Sequence, residues 1–346
     1  MIARSRYALL ALLAAVLAFA VVVLGGYVRL SNAGLGCPDW PGCYGQLGVP
    51  EAVGPGSGYE RPLEAGKAWK EMIHRYFAGA LGMVIAALGL LAWRRRHEPG
   101  QAVALPVGLV GLVVFQALLG MWTVTWLLKP LVVTAHLLGG MATLALLVWL
   151  ALRQGGVPAP VEASGPWRKW ALAALGVVVV QIALGGWTSA NYAALACPDF
   201  PTCQGRWWPE TDFGAAFTLW HGLGIDYEGG ILDNAARMTV HLVHRIGAVV
   251  TLLTVGGLVV ALLRRARSPR VRRAALGVGL LLLVQVGLGV GNVVLGLPLT
   301  VAVAHNAGAA GLLLSVVVLN HVLRPVAQPV PDNAPAPAAQ TGLESA

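Results

Sequence analysis

The sequence predicts an all-α polytopic membrane protein: eight transmembrane helices forming two tandem four-helix bundles, related by a pseudo-two-fold axis along the membrane normal. Three observations carry this. Of the 346 residues, 57% are hydrophobic and only 11% charged, and the mean hydropathy is +0.71, a balance foreign to a soluble domain of this length. Apolar runs near the roughly 20 residues needed to cross a hydrocarbon core occur eight times. The landmarks of the first four runs also return in the same order in the last four.

In chain order the runs cover residues 7–28, 71–93, 103–126, 131–151, 170–190, 237–263, 274–294 and 300–322. Arg4 and Arg6 precede the first run, as they would in a cleavable signal peptide. Its length and its match to the fifth run make it a permanent helix instead. Arg94–Arg96 follow the second run, Arg153, Arg168 and Lys169 separate the fourth from the fifth, and six arginines between Arg264 and Arg273 separate the sixth from the seventh. Basic residues favour the cytoplasmic side, so both termini are expected inside and the long loops 29–70 and 191–236 outside. The formal charge of +9 lies in these short blocks rather than along one face, which argues for orientation in lipid and against nucleic acid. After Arg324 the Pro/Ala-rich segment offers nothing to bury and is expected to be a disordered cytoplasmic tail.

The duplication is explicit. Leu24-Gly25-Gly26 and the later Cys37-Pro-Asp-Trp-Pro-Gly-Cys43 return, offset by 160, as Leu184-Gly185-Gly186 and Cys197-Pro-Asp-Phe-Pro-Thr-Cys203. Glu71-x-x-His74-Arg75 returns as His241-x-x-His244-Arg245, offset by 170, and Gln116, Gly120 and His136 return as Gln285, Gly289 and His305, offset by 169. An even number of spans per unit inserts both halves in one orientation, a parallel repeat. The expected divisions are 1–152 for the N-terminal half, 153–169 for a cytoplasmic linker, 170–323 for the C-terminal half and 324–346 for the tail. Glycines such as Gly120, Gly139, Gly140 and Gly289 suit close helix packing in lipid.

Ionisable side chains inside spans are costly and point to function, more so when they recur in register. His74, His136, His244 and His305 do so, each a few residues below the outer end of its run. Two facing histidines in a four-helix bundle are a usual way to hold a haem iron from both sides, which pairs His74 with His136 and His244 with His305. A bare zinc ion would want more Cys, His or carboxylate ligands than the helices supply. An interhelical hydrogen bond would account for one such histidine but not for four in duplicated register.

Glu71 lies one turn before His74, and its counterpart is His241, so the halves match in ligands and differ in acid–base equipment. Two roles are open to Glu71: moving protons beside a haem pocket, or stabilising the first helical turn. Arg75 and Arg245 follow two of the histidines and have two options as well, pairing with haem propionates or reaching the headgroups. His97 and His321 are expected in solvent at cytoplasmic ends, and His221 in the outer loop; none is expected to ligate iron. All four cysteines fall in outer loops as two C-x5-C pairs, which read as disulfides Cys37–Cys43 and Cys197–Cys203 in an oxidising compartment. A redox-active role stays open, chiefly for Cys37 and Cys43.

Taken together, Arg29-Leu-Ser-Asn-Ala-Gly-Leu-Gly-Cys37-Pro-Asp-Trp-Pro-Gly-Cys43, Glu71-x-x-His74-Arg75, Asn191-Tyr-Ala-Ala-Leu-Ala-Cys197-Pro-Asp-Phe-Pro-Thr-Cys203-Gln-Gly and His241-x-x-His244-Arg245 resemble the proteobacterial haem A synthase family over nearly the whole chain except the tail. The resemblance implies an inner-membrane enzyme that oxidises the C8 methyl of haem O to the formyl group of haem A, for assembly of terminal oxidase. It implies resident haem b on His244 and His305, substrate haem O on His74 and His136, a functional glutamate at Glu71, and activity linked to Cys37 and Cys43. Haem O synthase and oxidase assembly factors are implied partners, and the electron partner is left unnamed. The chain shows no glycine fingerprint for a nucleotide cofactor. Two rival readings remain at this stage. A dihaem electron-transfer protein would hold two equivalent permanent haems, and a membrane thiol oxidoreductase would leave the four histidines without purpose.

Overall fold

The computed structural model describes residues 2–54, 57–155 and 165–324; the expected tail, beyond Arg324, and most of the expected linker lie outside them. Its helices are α1 (Ile2–Leu30), α2 (Ala65–Arg94), α3 (Ala104–Thr125), α4 (Pro130–Gln154), α5 (Gly165–Ala190), the short α6 (Phe213–Ala216), α7 (Asn234–Arg265), α8 (Pro269–Val294) and α9 (Leu299–Val322). Eight of them are long and apolar enough to span a membrane, as the hydropathy predicts. Only backbone-saturated elements are tolerated in hydrocarbon, and among the described residues extended pairing is limited to two isolated bridges in the outer loops, Cys43 with Gln46 and Cys203 with Arg206.

The helix ends follow from local chemistry. Pro130 and Pro269 open α4 and α8, where a missing N–H costs nothing. Asp233 caps α7, its Oδ1 accepting from Ala236 N at 2.8 Å. At the other end α1, α3, α5 and α8 share one device, a residue at positive φ followed by an N–H that reaches back five residues. The residues are Asn32 (49°), Leu127 (49°), Tyr192 (53°) and Gly296 (71°). The bonds run from Ala33 N to Val28 O at 3.0 Å, Leu128 N to Thr123 O at 2.8 Å, Ala193 N to Thr188 O at 2.9 Å and Leu297 N to Asn292 O at 2.7 Å.

Helix α1 packs on α2 and α4, α2 on α3, and α3 on α4; α5 packs on α7 and α9, α7 on α8, and α8 on α9. The two sets meet where α9 lies against α1 and α4, and α4 against α5. Small residues of α1 (Ala11, Ala14, Ala15, Ala18) and leucines of α4 (Leu144, Leu147, Leu150) are buried in the shared core. Residues such as Met83 and Leu90 face outward, as lipid-facing side chains do. Near the last turn of α9, Asn320 Nδ2 donates to Ala171 O of α5 at 2.9 Å.

The structure departs from the sequence reading in three places. Helices α2 and α7 start at Ala65 and Asn234, earlier than the apolar runs, because turns bearing Lys67, Lys70 and Arg237 need only backbone partners and are invisible to hydropathy. His321 is fully buried against Trp149, with ring centroids 5.3 Å apart, rather than solvated, because the C-terminal end of α9 docks against α4 and α5. The one-turn helix α6, set by Asp212 Oδ1 accepting from Ala215 N at 2.9 Å, carries too little apolar period to be foreseen.

Leu147→Ala, which empties a fully buried site, is expected to cost about 2–5 kcal/mol and to lower the thermal unfolding midpoint in detergent, whereas Leu90→Ala at the outer surface leaves it near wild type.

Candidate functional site

The four intramembrane histidines stand on α2, α4, α7 and α9, and each ring lies against a glycine of the neighbouring helix. A Cβ at Gly25 of α1 would stand 2.9 Å from His74 Cε1; at Gly120 of α3, 3.4 Å from His136 Cε1; at Gly185 of α5, 3.2 Å from His244 Cε1; and at Gly289 of α8, 3.1 Å from His305 Cε1. Glycine at these points admits a ring between two close helices. His74 and His136 stand on α2 and α4, which both pack on α3, and His244 and His305 on α7 and α9, which both pack on α8.

These residues fit a bis-imidazole haem. The Nδ1 atoms of His74, His136 and His305 are buried without a hydrogen-bond partner, an expensive condition in a protein interior unless the ring has other work. Among the described residues no three His, Cys, Asp or Glu side chains converge as a cage for a bare metal ion, so the arrangement suits two axial ligands rather than a closed zinc set.

Above His74, Glu71 is almost fully buried, at 5% exposure. Its Oε2 accepts from Cys37 N at 3.0 Å and its Oε1 pairs with Arg75 Nη2. Arg75 Nη1 also donates to Asp39 O at 2.9 Å and to Gly42 O at 2.5 Å. Glu71 and Arg75 therefore clamp the loop closed by the Cys37–Cys43 disulfide onto the helix that carries His74. A Cβ at Gly36 would come within 2.6 Å of the Lys67 backbone, so the chain entering this loop lies directly on the start of α2.

The second half repeats the clamp without the acid. Arg245 donates to Thr202 O at 2.7 Å, to Asp199 O at 2.8 Å and to Cys197 O at 2.9 Å, holding the loop closed by Cys197–Cys203. His241 stands in Glu71's place, buried, with Nδ1 unpartnered. Inside each loop an aspartate organises the turn. Asp39 accepts from Tyr44 N and Gly45 N, both at 2.7 Å, and Asp199 accepts from Gln204 N at 2.5 Å and Gly205 N at 3.0 Å. The Thr202 hydroxyl and these amides hold the Asp199 carboxyl down at about 2. Both disulfides are formed in the structure.

The outer loops are also tied to each other. Arg61 reaches Asp226 at 2.5 Å and Glu228 at 2.6 Å, and Tyr227 N donates to Leu127 O at 3.0 Å. Lys129, fully buried, donates to Gly222 O at 2.6 Å with its Nζ 2.9 Å from the Trp220 ring centroid. His221 sits in this loop, 6.4 Å from the Tyr227 ring.

Sequence reasoning did not single out Gln181, whose Nε2 lies 3.1 Å from His244 Nδ1. The signal was present in the run Gln181-Ile-Ala-Leu-Gly185, which matches Gln116-Ala-Leu-Leu-Gly120 and Gln285-Val-Gly-Leu-Gly289. A search for a two-fold repeat compares α5 with α1, where Val21 stands instead, and so misses a pattern that recurs from helix pair to helix pair.

Comparison with known proteins agrees with this geometry. Residues 8–317 match the COX15-CtaA model, described as cytochrome oxidase assembly protein. The chain is 44% identical to the Heme A synthase of Shewanella oneidensis over 316 residues, covering 88% of this chain and 92% of the relative. It is 32% identical to the Heme A synthase of Caulobacter vibrioides over 327 residues, covering 86% and 90%. A shorter match, 28% identity over 195 residues, relates it to the Heme A synthase of Halalkalibacterium halodurans. With the paired histidines, the clamped cysteine loops and these matches together, the chain belongs to the cytochrome oxidase assembly protein family in which these haem A synthases stand.

Proposed function

We propose that the chain is itself a haem A synthase, an oxidoreductase that converts the C8 methyl of haem O to a formyl group for oxidase assembly. The observation that carries this reading is the unequal equipment of two otherwise matching histidine pairs. Glu71, bound to both Arg75 and Cys37, overlies the first pair, and His241 overlies the second. Two permanent electron-transfer haems would not call for that difference.

In this reading His74 and His136 receive substrate haem O, and His244 and His305 hold haem b. The resident haem, when bound, supplies one-electron redox chemistry at a potential tuned by its axial ligands. The protein's own part is to bind, orient and manage protons. The methyl is hydroxylated twice and the geminal diol loses water, a net half-reaction R–CH3 + H2O → R–CHO + 4 H+ + 4 e− whose electrons pass to an external acceptor. Glu71, one turn from His74, accepts protons at the substrate edge while its other contacts keep the first loop seated over that edge. Cys37 and Cys43 serve the reaction by closing this loop. Arg75 and Arg245 act through the loop carbonyls they hold, and that is the role their contacts favour over pairing with propionates. Haem O synthase and oxidase assembly factors remain the expected partners.

The chain is placed in the bacterial inner membrane with both termini cytoplasmic and the cysteine loops periplasmic. All four cysteines are in disulfides, so an introduced cysteine is the only free thiol. Leu47→Cys, at a position 83% exposed, is expected to react with an impermeant maleimide in spheroplasts, whereas Arg96→Cys reacts only after permeabilisation. The opposite pattern would invert the topology.

Membranes containing the chain together with a haem O synthase are expected to yield haem A on pigment extraction, and His74→Ala membranes to retain haem b while accumulating haem O. Haem b and haem O alone from wild type that is folded and haem-loaded would move the reading to electron transfer. Glu71→Gln retains an acceptor for Cys37 N but loses the proton acceptor and the ion pair, so haem A yield should fall by about 10²-fold or more at unchanged haem b content. Normal yield would remove Glu71 from proton handling.

A further inference from the structure

The contact between imidazole and glycine occurs once in each helix pair, α1/α2, α3/α4, α5/α7 and α8/α9, and in the last three it belongs to a larger unit. Four residues before the glycine stands Gln116 in α3, Gln181 in α5 and Gln285 in α8; three residues after the histidine stands Gly139 in α4, Gly247 in α7 and Gly308 in α9. In each of these three pairs the glutamine carboxamide fills the space that a side chain at the second glycine would need. A Cβ there would stand 2.8 Å from Gln116 Cδ, 3.4 Å from Gln181 Cδ and 3.5 Å from Gln285 Cδ, with a terminal carboxamide atom closer still. Each glutamine thus rests in a notch of the facing helix. Gln181 Nε2 is 3.1 Å from both His244 Nδ1 and His244 O, whereas Gln285 Nε2 is 3.4 Å from His305 Nε2, so of the three only Gln181 reaches an Nδ1.

The fourth pair breaks the pattern at both positions. Val21 stands where the glutamine would be and Phe77 where the glycine would be, so His74 has an apolar side chain and the backbone of Val21 beside it. Several polar atoms of the three intact units remain unpaired: Gln181 Oε1, Gln285 Oε1, Gln116 Nε2, and Nδ1 of His136 and His305. At His244 a half-turn of the Gln181 carboxamide places its oxygen against Nδ1–H and leaves Nε2 free for iron. A ligating histidine whose other nitrogen is held in this way keeps its tautomer and orientation, and losing the partner costs about 10–100-fold in metal affinity. Nδ1 of His74 is buried, and neither Val21 nor Phe77 offers it a polar side chain.

We propose that Gln181 is a positioning residue that locks the ring of His244, and that His74, which has Val21 in the corresponding place and so lacks that lock, is the mobile ligand through which the N-terminal haem enters and leaves. This rests on the haem reading above. The C-terminal haem has a locked ring and stays, whereas the N-terminal haem has none on the His74 side and exchanges.

The test is haem transfer from the purified full-length protein to excess apomyoglobin, followed by absorbance, with the low-spin spectrum recorded in parallel. Wild type is expected to release haem in one fast and one slow phase. Gln181→Leu should accelerate the slow phase 10–100-fold and leave the fast phase alone. Val21→Gln combined with Phe77→Gly, which removes no ligand and builds the missing unit, should slow the fast phase by a similar factor. Unchanged phases in both variants, or a single common rate in wild type, would overturn the inference while leaving the haem reading intact. Wild-type protein that binds no haem would overturn the haem reading and this inference with it.

Discussion

The structure turns on a single packing problem, how to seat an imidazole between two helices in a medium that cannot solvate it. Lipid offers no hydrogen bonds, so a ring nitrogen must find a partner in the protein or a metal, and the ring needs room that two close helices do not ordinarily leave. Glycine at positions 25, 120, 185 and 289 provides the room, each time on the helix adjacent to the histidine. The shared left-handed endings of α1, α3, α5 and α8 then turn the chain toward the helix that brings the histidine back beside that glycine, through a short connection in two of the four cases, α3 to α4 and α8 to α9. Ligand placement and helix termination are therefore parts of one repeated construction.

The outer loops are held to this frame by charge rather than by apolar burial alone. Arg75 and Arg245 each gather several carbonyls of a cysteine-closed loop, and each guanidinium arises from the residue directly after a histidine. Loop position and histidine position are thus linked through adjacent residues on one helix. In the first half a buried carboxylate joins the link. An arginine–carboxylate pair with so little exposure is weak evidence for stability, because desolvation offsets most of the attraction, yet removing one partner leaves a buried charge. The second half holds its loop through Arg245 with His241 in that place, so the carboxylate is not required for the clamp itself.

The eight spans and the four histidines were legible in the sequence because both rest on composition and register, which need no tertiary knowledge. The start of α2 was not, since Lys67 and Lys70 belong to the helix without belonging to the apolar run. The burial of His321 was hidden for the opposite reason: a polar residue near a basic flank reads as solvated until the docking of Trp149 against it is seen. Arg75 and Arg245 were recognised as important, but their targets were not, because backbone carbonyls brought close by a disulfide leave no trace in a motif. Gln181 was missed because its partner position in the two-fold alignment is Val21.

That mismatch is informative about how a duplicated frame acquires two functions. Duplication yields two equivalent sites, and equivalence suits storage or electron relay but not a reaction in which one group must stay while another passes through. Three of the differences between the halves lie around one histidine: Glu71 for His241, Val21 for Gln181, Phe77 for Gly247. The first adds an ionisable group and fixes the loop above His74, and the other two withdraw the carboxamide and its notch from beside the same ring. His136, across the same half, keeps its glutamine and glycine in common with His305. These three exchanges fall on one helix pair, α1 with α2, so the surroundings of His74 differ from those of the other three rings while the glycine that seats it is kept.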